Sequence, residues 1–107
     1  MIPVLSSADR RQNLEKGLKL RHRRAEIRKD LGNGIMNAYD VIMLADRGDQ
    51  AASGMRVKHL ISAHPGYGTV KTRELMDMIG IADNRRVGGL SVRQARSLIE
   101  KLDGVAL

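Results

Sequence analysis

The sequence predicts an all-α protein, and three observations lead to this fold class. Apolar residues recur at helical spacing, helix-starting and helix-stopping residues bracket those stretches, and no stretch alternates as a strand would. The 107 residues are 42% hydrophobic, enough for one modest core, and include no cysteine, which excludes disulfides and thiolate metal sites. We therefore expect a long basic N-terminal helix followed by a compact helical domain.

Positive charge is concentrated near the start of the chain. Lys and Arg number 19 against 12 Asp and Glu, a net charge of +7, and residues 1–29 hold nine of the basic and three of the acidic residues. This balance favours a polyanionic partner. Tyr39 and Tyr67 are the only aromatic residues, which argues against a binder that stacks single-stranded bases. A duplex held through its phosphates fits the composition better.

The first predicted helix opens at a capping box, Ser6-Ser7-Ala8-Asp9, and extends to about Leu31. Its apolar residues are few, and we expect its C-terminal half to dock on the core through Ile27 and Leu31. Residues 1–30 are thus expected to form a basic helical arm, although charge runs are often simply solvated helix faces. The arm residues expected to meet a polyanion are Arg21, Arg23, Arg24, Arg28 and Lys29.

Caps mark the first helix of the domain that we expect over residues 31–107. Asn37, with Asp40 three residues later, opens a helix that runs to about Asp46. Residues 48–54 are small and polar, and predict a loop with at most a turn of helix. With no Phe or Trp in the chain, methionines are expected to fill the core. They are Met36, Met43, Met55, Met76 and Met78.

The central feature is a glycine hairpin between two short helices. Pro65 ends the first helix, and Gly66 and Gly68 can take positive φ and leave backbone amides bare, with Tyr67 between them. Thr69 or Gly68 then caps the second helix, which ends at Gly80 with apolar Ile81 beyond. The predicted inner faces are Val57, Leu60, Ile61 and His64 in the first helix, and Val70, Leu75, Met78 and Ile79 in the second.

A helix N-terminus beside a glycine turn suits an anion, because unpaired N–H groups and the positive end of the dipole meet there. Lys71 and Arg73 are placed to add charge. The Pro-Gly-Tyr-Gly hairpin resembles the helix-hairpin-helix family, which grips nucleic-acid backbone without reading bases. Thr72 departs mildly from that pattern, where a small residue such as Ala is frequent. An ordinary helix-helix turn is the alternative interpretation.

A second anion site of similar design is expected near the C-terminus. The segment after Gly80 allows one helical turn capped by Asp83, and it delivers Arg85 and Arg86 to a glycine bend. Ser91 and Gln94 form a capping box that opens the last helix, which ends near Gly104. The predicted buried stripe of this helix is Val92, Ala95, Ile99 and Leu102.

Taken together, the basic arm, residues 64–71, Glu74-Leu75-Met76 and residues 85–94 resemble the integration host factor family of actinobacteria, over essentially the whole chain. That family is a single-chain, all-helical nucleoid protein with an S13-like helix-two-turns-helix fold, unrelated to the two-subunit β-armed protein of the same name. Gly88 departs from the family pattern, where a further basic residue is usual.

The resemblance implies two DNA-contacting surfaces. The first is a lid, formed by His64, Pro65, Gly66, Tyr67, Gly68, Thr69, Val70 and Lys71. The second is a helix-two-turns-helix surface, formed by Ala82, Asp83, Asn84, Arg85, Arg86, Val87, Gly88, Gly89, Leu90, Ser91, Val92, Arg93 and Gln94.

From the resemblance we expect a nucleoid-associated architectural protein. It would bind and bend double-stranded DNA with little sequence preference, assist integrase-mediated recombination and help to compact DNA. The expected partners are duplex DNA and a phage-type integrase on that DNA. We expect a cytoplasmic, monomeric protein without a membrane segment, because no stretch approaches the length and hydrophobicity of a membrane span and no signal peptide is evident.

Two alternatives belong to other functional classes. An S13-like, ribosome-associated RNA-binding protein would share the fold, although this chain lacks a long basic C-terminal extension. An enzyme would need a catalytic pocket, for which 107 residues leave little room. His22, His59 and His64 do not have the spacing of a zinc site, and we expect no catalytic residue, metal or cofactor. His59 is expected to be exposed, and His64 to pack near the hairpin.

Overall fold

The structure of the protein is a computed structural model, and it describes residues 7–105. Within these residues, six α-helices and one 3-10 turn follow one another. They are α1 (Ser7–Gly32), α2 (Ala38–Asp46), α3 (Gln50–Ser53), α4 (Val57–Ser62), α5 (Thr69–Ile79), the 3-10 turn (Val87–Gly89) and α6 (Val92–Asp103). The all-α prediction is therefore confirmed. None of the helices within residues 7–105 is long and apolar enough to cross a membrane.

The long helix α1 docks by its C-terminal half, as predicted. Ile27 and Leu31 are fully buried in the core, whereas Leu14 and Leu18 in the N-terminal half are 63% and 43% exposed. The C-terminal half packs against α3 and α4. The capping box predicted at Ser6 lies outside the described residues.

The short helix α3 occupies the segment for which the sequence predicted a loop with at most one helical turn. Asp49 caps it by accepting a hydrogen bond from the Ala52 amide at 3.0 Å. Ala51, Ala52 and the following Met55 are buried, because α3 lies between α1, α2 and the 3-10 turn. Small side chains allow this close packing of three elements around four residues.

The other two helix starts predicted from capping boxes are confirmed, and one of them receives a second cap. At α2, the Asn37 side chain accepts from the Asp40 amide at 2.9 Å, and the Asp40 carboxylate accepts from the Asn37 amide. The carboxylate of Asp103 in α6 accepts from the amides of Ala38 and Tyr39, at 2.8 and 2.9 Å. The start of α2 is thereby tied to the end of α6.

The predicted inner face of α5 is partly wrong. Thr72, Leu75, Met76 and Ile79 are buried, whereas Val70 and Met78 are 70% and 69% exposed. The buried residues follow the i, i+3, i+4, i+7 spacing, and Val70 precedes Leu75 by five residues, which places it about 140° around the helix. Among the methionines expected in the core, Met55 and Met76 are buried, Met36 and Met43 are half-buried, and Met78 is not.

The predicted stripe of α6 also needs correction. Leu98 and Ile99 are buried and Ala95 and Leu102 are half-buried, but Val92 is 77% exposed. Val92 lies in the first turn of α6, on a face that none of the elements in residues 7–105 covers. The helix N-terminus is nevertheless anchored, because the Gln94 Nε2 donates to the Gly80 carbonyl at 3.1 Å.

Candidate nucleic-acid interface

The arginine loop, residues 82–90, is held by backbone pairing to the junction between α3 and α4. The Val57 amide donates to the Arg85 carbonyl at 2.9 Å, and the Val87 amide donates to the Met55 carbonyl at 2.8 Å. Arg56 and Arg86 thus stand opposite each other on an isolated antiparallel bridge. The pairing fixes the backbone of a loop whose side chains from Ala82 to Arg86 are exposed.

Both arginines of this loop are exposed and also donate hydrogen bonds inside the fold. Arg85 Nη1 donates to the Gly89 carbonyl at 3.1 Å, and Arg86 Nη1 donates to the Gly54 carbonyl. The helical turn lies at Val87–Gly89 with Arg86 at its N-cap, so the turn predicted at Asp83 is wrong. The Asp83 carboxylate instead lies 3.5 Å from Lys58 Nζ.

Gly88 brings the 3-10 turn into close contact with α3. A Cβ atom added at Gly88 would overlap the Ser53 hydroxyl and would lie 3.1 Å from the Ser53 carbonyl oxygen. The departure at Gly88 from the family pattern therefore coincides with a tight contact between two elements of this fold.

The start of α6 continues the same surface. Ser91 accepts from the Gln94 amide at 3.1 Å and Gln94 accepts from the Ser91 amide at 3.0 Å, which confirms the predicted capping box. Val92 and Arg93 are exposed immediately after this cap. Of the surface predicted over residues 82–94, the three arginines, Arg85, Arg86 and Arg93, are all exposed in the structure.

The glycine hairpin, residues 63–68, leads into a helix N-terminus that no side chain caps. Gly66 adopts a φ of 86°, whereas Gly68 stays extended at φ −84° and serves as the N-cap of α5. Gly68 has no side chain to accept from the first-turn amides, so those amides are left for water or for an anion. Lys71 in this first turn is exposed, and it borders a shallow groove with Tyr67 and Lys101.

The sequence prediction put His64 on the inner face of the first hairpin helix. In the structure that helix, α4, ends at Ser62, so His64 lies two residues beyond its end. The chain leaves the helix early because residues before a proline avoid the α conformation. His64 Nδ1 lies 2.8 Å from the Leu60 carbonyl, a distance that suits an Nδ1–H donor. Its Nε2 is buried and has no hydrogen-bond partner among the described residues. His64 therefore packs at the hairpin, as the sequence suggested.

Two of the arm arginines make contacts within the fold. Arg24 Nε donates to the Ala51 carbonyl at 3.0 Å, and its guanidinium lies against Gly54. Arg23 Nη2 lies 3.6 Å from the Asp49 carboxylate. Both contacts hold α1 on α3. The other three predicted arm residues, Arg21, Arg28 and Lys29, are exposed.

Beside the arginine loop lie Arg56, the N-cap of α4, and Lys58 and His59 of α4, three residues that the sequence reasoning did not single out as a group. His59 is half-buried rather than exposed. Burial lowers the pKa of His59 below its ordinary value of 6.5, and the positive charges of Arg28, Lys58 and Arg56 lower it further. One signal could have found this cluster, since Arg56 and Lys58 occupy a helix N-terminus, where cations oppose the helix dipole.

Comparison with known proteins assigns the class and then the family. The family described as the S13-like H2TH domain matches residues 31–102, which include the glycine hairpin and the arginine loop. The integration host factor of Mycolicibacterium smegmatis is 37% identical over 102 residues, 95% of this chain and 96% of the relative. That of Streptomyces coelicolor is 33% identical over 97 residues, 91% of this chain and 90% of the relative.

A solved structure described as sIHF bound to an 8-bp palindromic DNA superposes with a TM-score of 0.77 at 32% identity. It covers 81% of this chain and 97% of the other. The chain therefore belongs to the integration host factor family of actinobacteria, whose S13-like H2TH domain it carries. The resemblance drawn from the sequence, and the helix-two-turns-helix fold it implied, are confirmed.

Proposed function

We propose that this protein is a nucleoid-associated architectural protein that binds double-stranded DNA through phosphate contacts and bends it, with little sequence preference. The solved relative in complex with an 8-bp palindromic DNA carries the proposal most directly, because 32% identity and 81% coverage accompany the shared fold. Residues 1–30 would act as a basic arm and residues 31–107 as the DNA-binding domain.

The arginine loop supports phosphate contact rather than base reading. Its backbone is held by two hydrogen bonds to the α3–α4 junction, so Arg85 and Arg86 are presented without the cost of ordering a free loop. With no aromatic residue in the loop and two adjacent exposed cations, the loop suits a charged backbone common to every sequence.

The glycine hairpin supports a second backbone contact. Gly68 leaves the first-turn amides of α5 uncapped, and nothing within 4 Å would meet a Cβ atom there, so the hairpin can approach a phosphate closely. A duplex that touches the lid, the arginine loop and the arm together must curve, which is the origin proposed for bending.

Charge removal in the arginine loop tests the binding mode. Arg85→Gln combined with Arg86→Gln keeps hydrogen-bond donors but removes two charges, and the salt slope of log affinity is expected to fall by about 0.9 per lost phosphate contact. The measurement is fluorescence anisotropy of labelled duplexes of unrelated sequence between about 50 and 200 mM salt. Arg47→Gln is the matched control, because Arg47 is an exposed cap at the end of α2.

Equal weakening on all duplex sequences is the expected result. An unchanged slope in the double variant would exclude the arginine loop from the contact, and weakening on one sequence alone would contradict backbone binding. A structured RNA of equal length serves as competitor. Displacement of the duplex by that RNA would favour the S13-like RNA-binding alternative.

The wider roles need separate assays. Energy transfer between dyes at the two ends of a duplex should rise on binding if the DNA bends. Addition of the protein should raise the yield of an integrase-mediated recombination reaction, and should shorten long DNA molecules under a microscope if the protein compacts DNA. A bound duplex with unchanged end-to-end distance would remove bending from the proposal and leave binding in place.

A further inference from the structure

A cationic cluster surrounds the half-buried imidazole of His59, outside the lid and the arginine loop. Arg28 comes from α1, Arg56 caps α4, and Lys58 lies in the first turn of α4. All three act on the imidazole as neighbouring positive charges. Within residues 7–105, the cluster makes one ion pair with a carboxylate, between Lys58 Nζ and Asp83 at 3.5 Å.

The backbone bridge joins this cluster to the arginine loop. Arg56 and Arg86 are directly opposed on the antiparallel bridge, and side chains of directly opposed residues leave on the same side. Arg86 is among the residues of the arginine loop, so the cationic surface runs from that loop through Arg56 to Arg28 of the arm helix. The arm and the loop are therefore not separate basic patches.

The positive charges of Arg56 and Lys58 lower the stability of the free protein in two ways. Like charges that stand directly opposite each other destabilise a bridge, and cations at a helix N-terminus oppose its dipole. Small apolar or acidic residues at positions 56 and 58 would make the fold more stable. An arrangement that works against the stability of the free chain points to an anion that offsets it when bound.

We propose that Arg28, Arg56, Lys58 and His59 form a further phosphate-binding surface, and that His59 takes up a proton when the duplex backbone occupies it. The proposal rests on the DNA binding proposed above and adds a second property, a dependence of affinity on pH. The ligand is a phosphodiester of duplex DNA that passes from the arginine loop toward the arm.

The sign of the pH dependence follows from the groups that face His59. Arg28 of α1 and Arg56 and Lys58 of α4 favour the neutral imidazole, as does burial. His59 also lines a second groove, between α4 and α5, together with three further charged groups, namely Arg73 and Asp77 of α5 and Asp83 of the arginine loop. A phosphate at the cluster offsets the cations and favours the imidazolium, so binding takes up a proton and tightens as the pH falls.

The test measures duplex affinity from pH 7.5 to pH 5.5 at constant ionic strength. Uptake of one proton can raise affinity by at most about tenfold per pH unit, and we expect an increase of about three- to tenfold across the range. His59→Gln should lose this increase, and Arg56→Gln should weaken binding at every pH. Arg47→Gln is the matched control, because Arg47 is exposed at the end of α2, outside the proposed contacts, and should leave the increase unchanged.

A direct readout is the NMR titration of the His59 ring in the full chain, alone, with duplex and with inorganic phosphate at equal phosphate concentration. A higher His59 pKa with duplex than with inorganic phosphate supports the proposal. An equal effect of both would assign the cluster to free phosphate and overturn the duplex contact.

The two proposals fail separately. A chain that binds no duplex at any pH refutes DNA binding and this inference together. Tight duplex binding with the same affinity at pH 5.5 and 7.5, and with full affinity in Arg56→Gln, refutes the phosphate surface around His59 and leaves the proposed function intact.

Discussion

Gly88 offers the sharpest test of how this fold and its proposed DNA contact depend on each other. The resemblance to the integration host factor family suggests that a basic residue at this position would strengthen DNA binding. In this fold, however, a Cβ atom at Gly88 would overlap the Ser53 hydroxyl and lie 3.1 Å from the Ser53 carbonyl oxygen. The substitution Gly88→Arg therefore has two opposed effects: an added charge that should strengthen DNA binding, and a clash with α3 that should lower stability.

The cost follows from two atoms in that contact that cannot rotate away as the Ser53 hydroxyl can. They are the Ser53 Cβ atom, at 3.2 Å, and the Ser53 carbonyl oxygen, and both belong to the C-terminal end of α3, which packs between α1 and the 3-10 turn. Overpacking at such a site costs about 1–3 kcal/mol, and about 2 kcal/mol would lower Tm by roughly 10 °C for a domain of this size. One added phosphate contact would steepen the salt slope by about 0.9.

A double-mutant cycle separates the two effects. Ser53→Gly removes the hydroxyl and Cβ at a price in helix stability of about 1 kcal/mol, and Gly88→Arg should cost less in that background than in the native one. Urea unfolding gives the stabilities, and anisotropy at several salt concentrations gives the slopes. Gly17→Ala is the control, since nothing lies within 4 Å of a Cβ atom there.

The expected coupling free energy is at least about 0.5 kcal/mol, the lower limit for residues in contact. Gly88→Arg with full native stability would refute the close approach of the 3-10 turn to α3. Strictly additive effects would show that the cost of the substitution arises elsewhere. A steeper salt slope without loss of stability would mean that Gly88 is a missing contact and has no packing role.

Three further predictions concern stability. Asp103→Ala removes the carboxylate that caps two amides of α2, and it should lower the free energy of unfolding, measured in urea, by about 2 kcal/mol. Glu100→Ala, at an exposed position of the same helix, should change it by less than about 0.5 kcal/mol, and equal losses in the two variants would contradict the cap. Thr72→Val replaces a buried hydroxyl that has no partner among the described residues, so unfolding should become harder by about 1 kcal/mol, and a loss would reveal a partner. Because the pKa of His59 is lowered in the folded state, its neutral imidazole contributes fully to stability above pH 6.5, and this contribution is lost as the pH falls below 6.5. His59→Gln should therefore reduce the decrease in Tm between pH 7 and pH 5, and an unchanged decrease would assign it to other groups.

Local chemistry made much of the fold predictable. Asn37 with Asp40, and Ser91 with Gln94, are capping boxes within four residues of sequence, and both appear in the structure as predicted. Gly80 ends α5 in the left-handed conformation that favours glycine. Such signals depend only on residues close together in the chain, so they predict the same helix ends whatever the tertiary packing is.

The inner faces of the helices were less predictable. Val70, Met78 and Val92 are apolar and were assigned to the core, yet they are exposed, while Thr72 is polar and buried. Which face of a short helix is covered depends on where the neighbouring elements lie, and this information is not contained in apolar spacing alone. The resemblance to a family added the fold, but it did not correct these assignments.

Contacts distant in sequence could not be predicted at all. The Asp103 carboxylate caps α2 across 65 positions, and Arg86 pairs with Arg56 across the bridge. Nothing in the local sequence of Arg56-Val57-Lys58 reveals that a loop with two arginines will lie beside it. The candidate surface around His59 therefore emerged from the structure, and its one sequence signal was a pair of cations at an unfavourable end of a helix.

The short helix α3 determines how these basic elements face one another. Its C-terminal carbonyls receive two arginines from opposite parts of the chain, Arg24 of the arm helix at Ala51 and Arg86 of the arginine loop at Gly54. Carbonyl groups at a helix end carry partial negative charge, so both guanidinium groups are held where the backbone is already suited to cations. The arm and the loop are thus both oriented by α3 and its C-cap, Gly54. If the proposed contacts are correct, the curvature of the bound duplex is set by this junction, and substitutions in α3 that leave every DNA contact untouched should alter the bend more than the affinity.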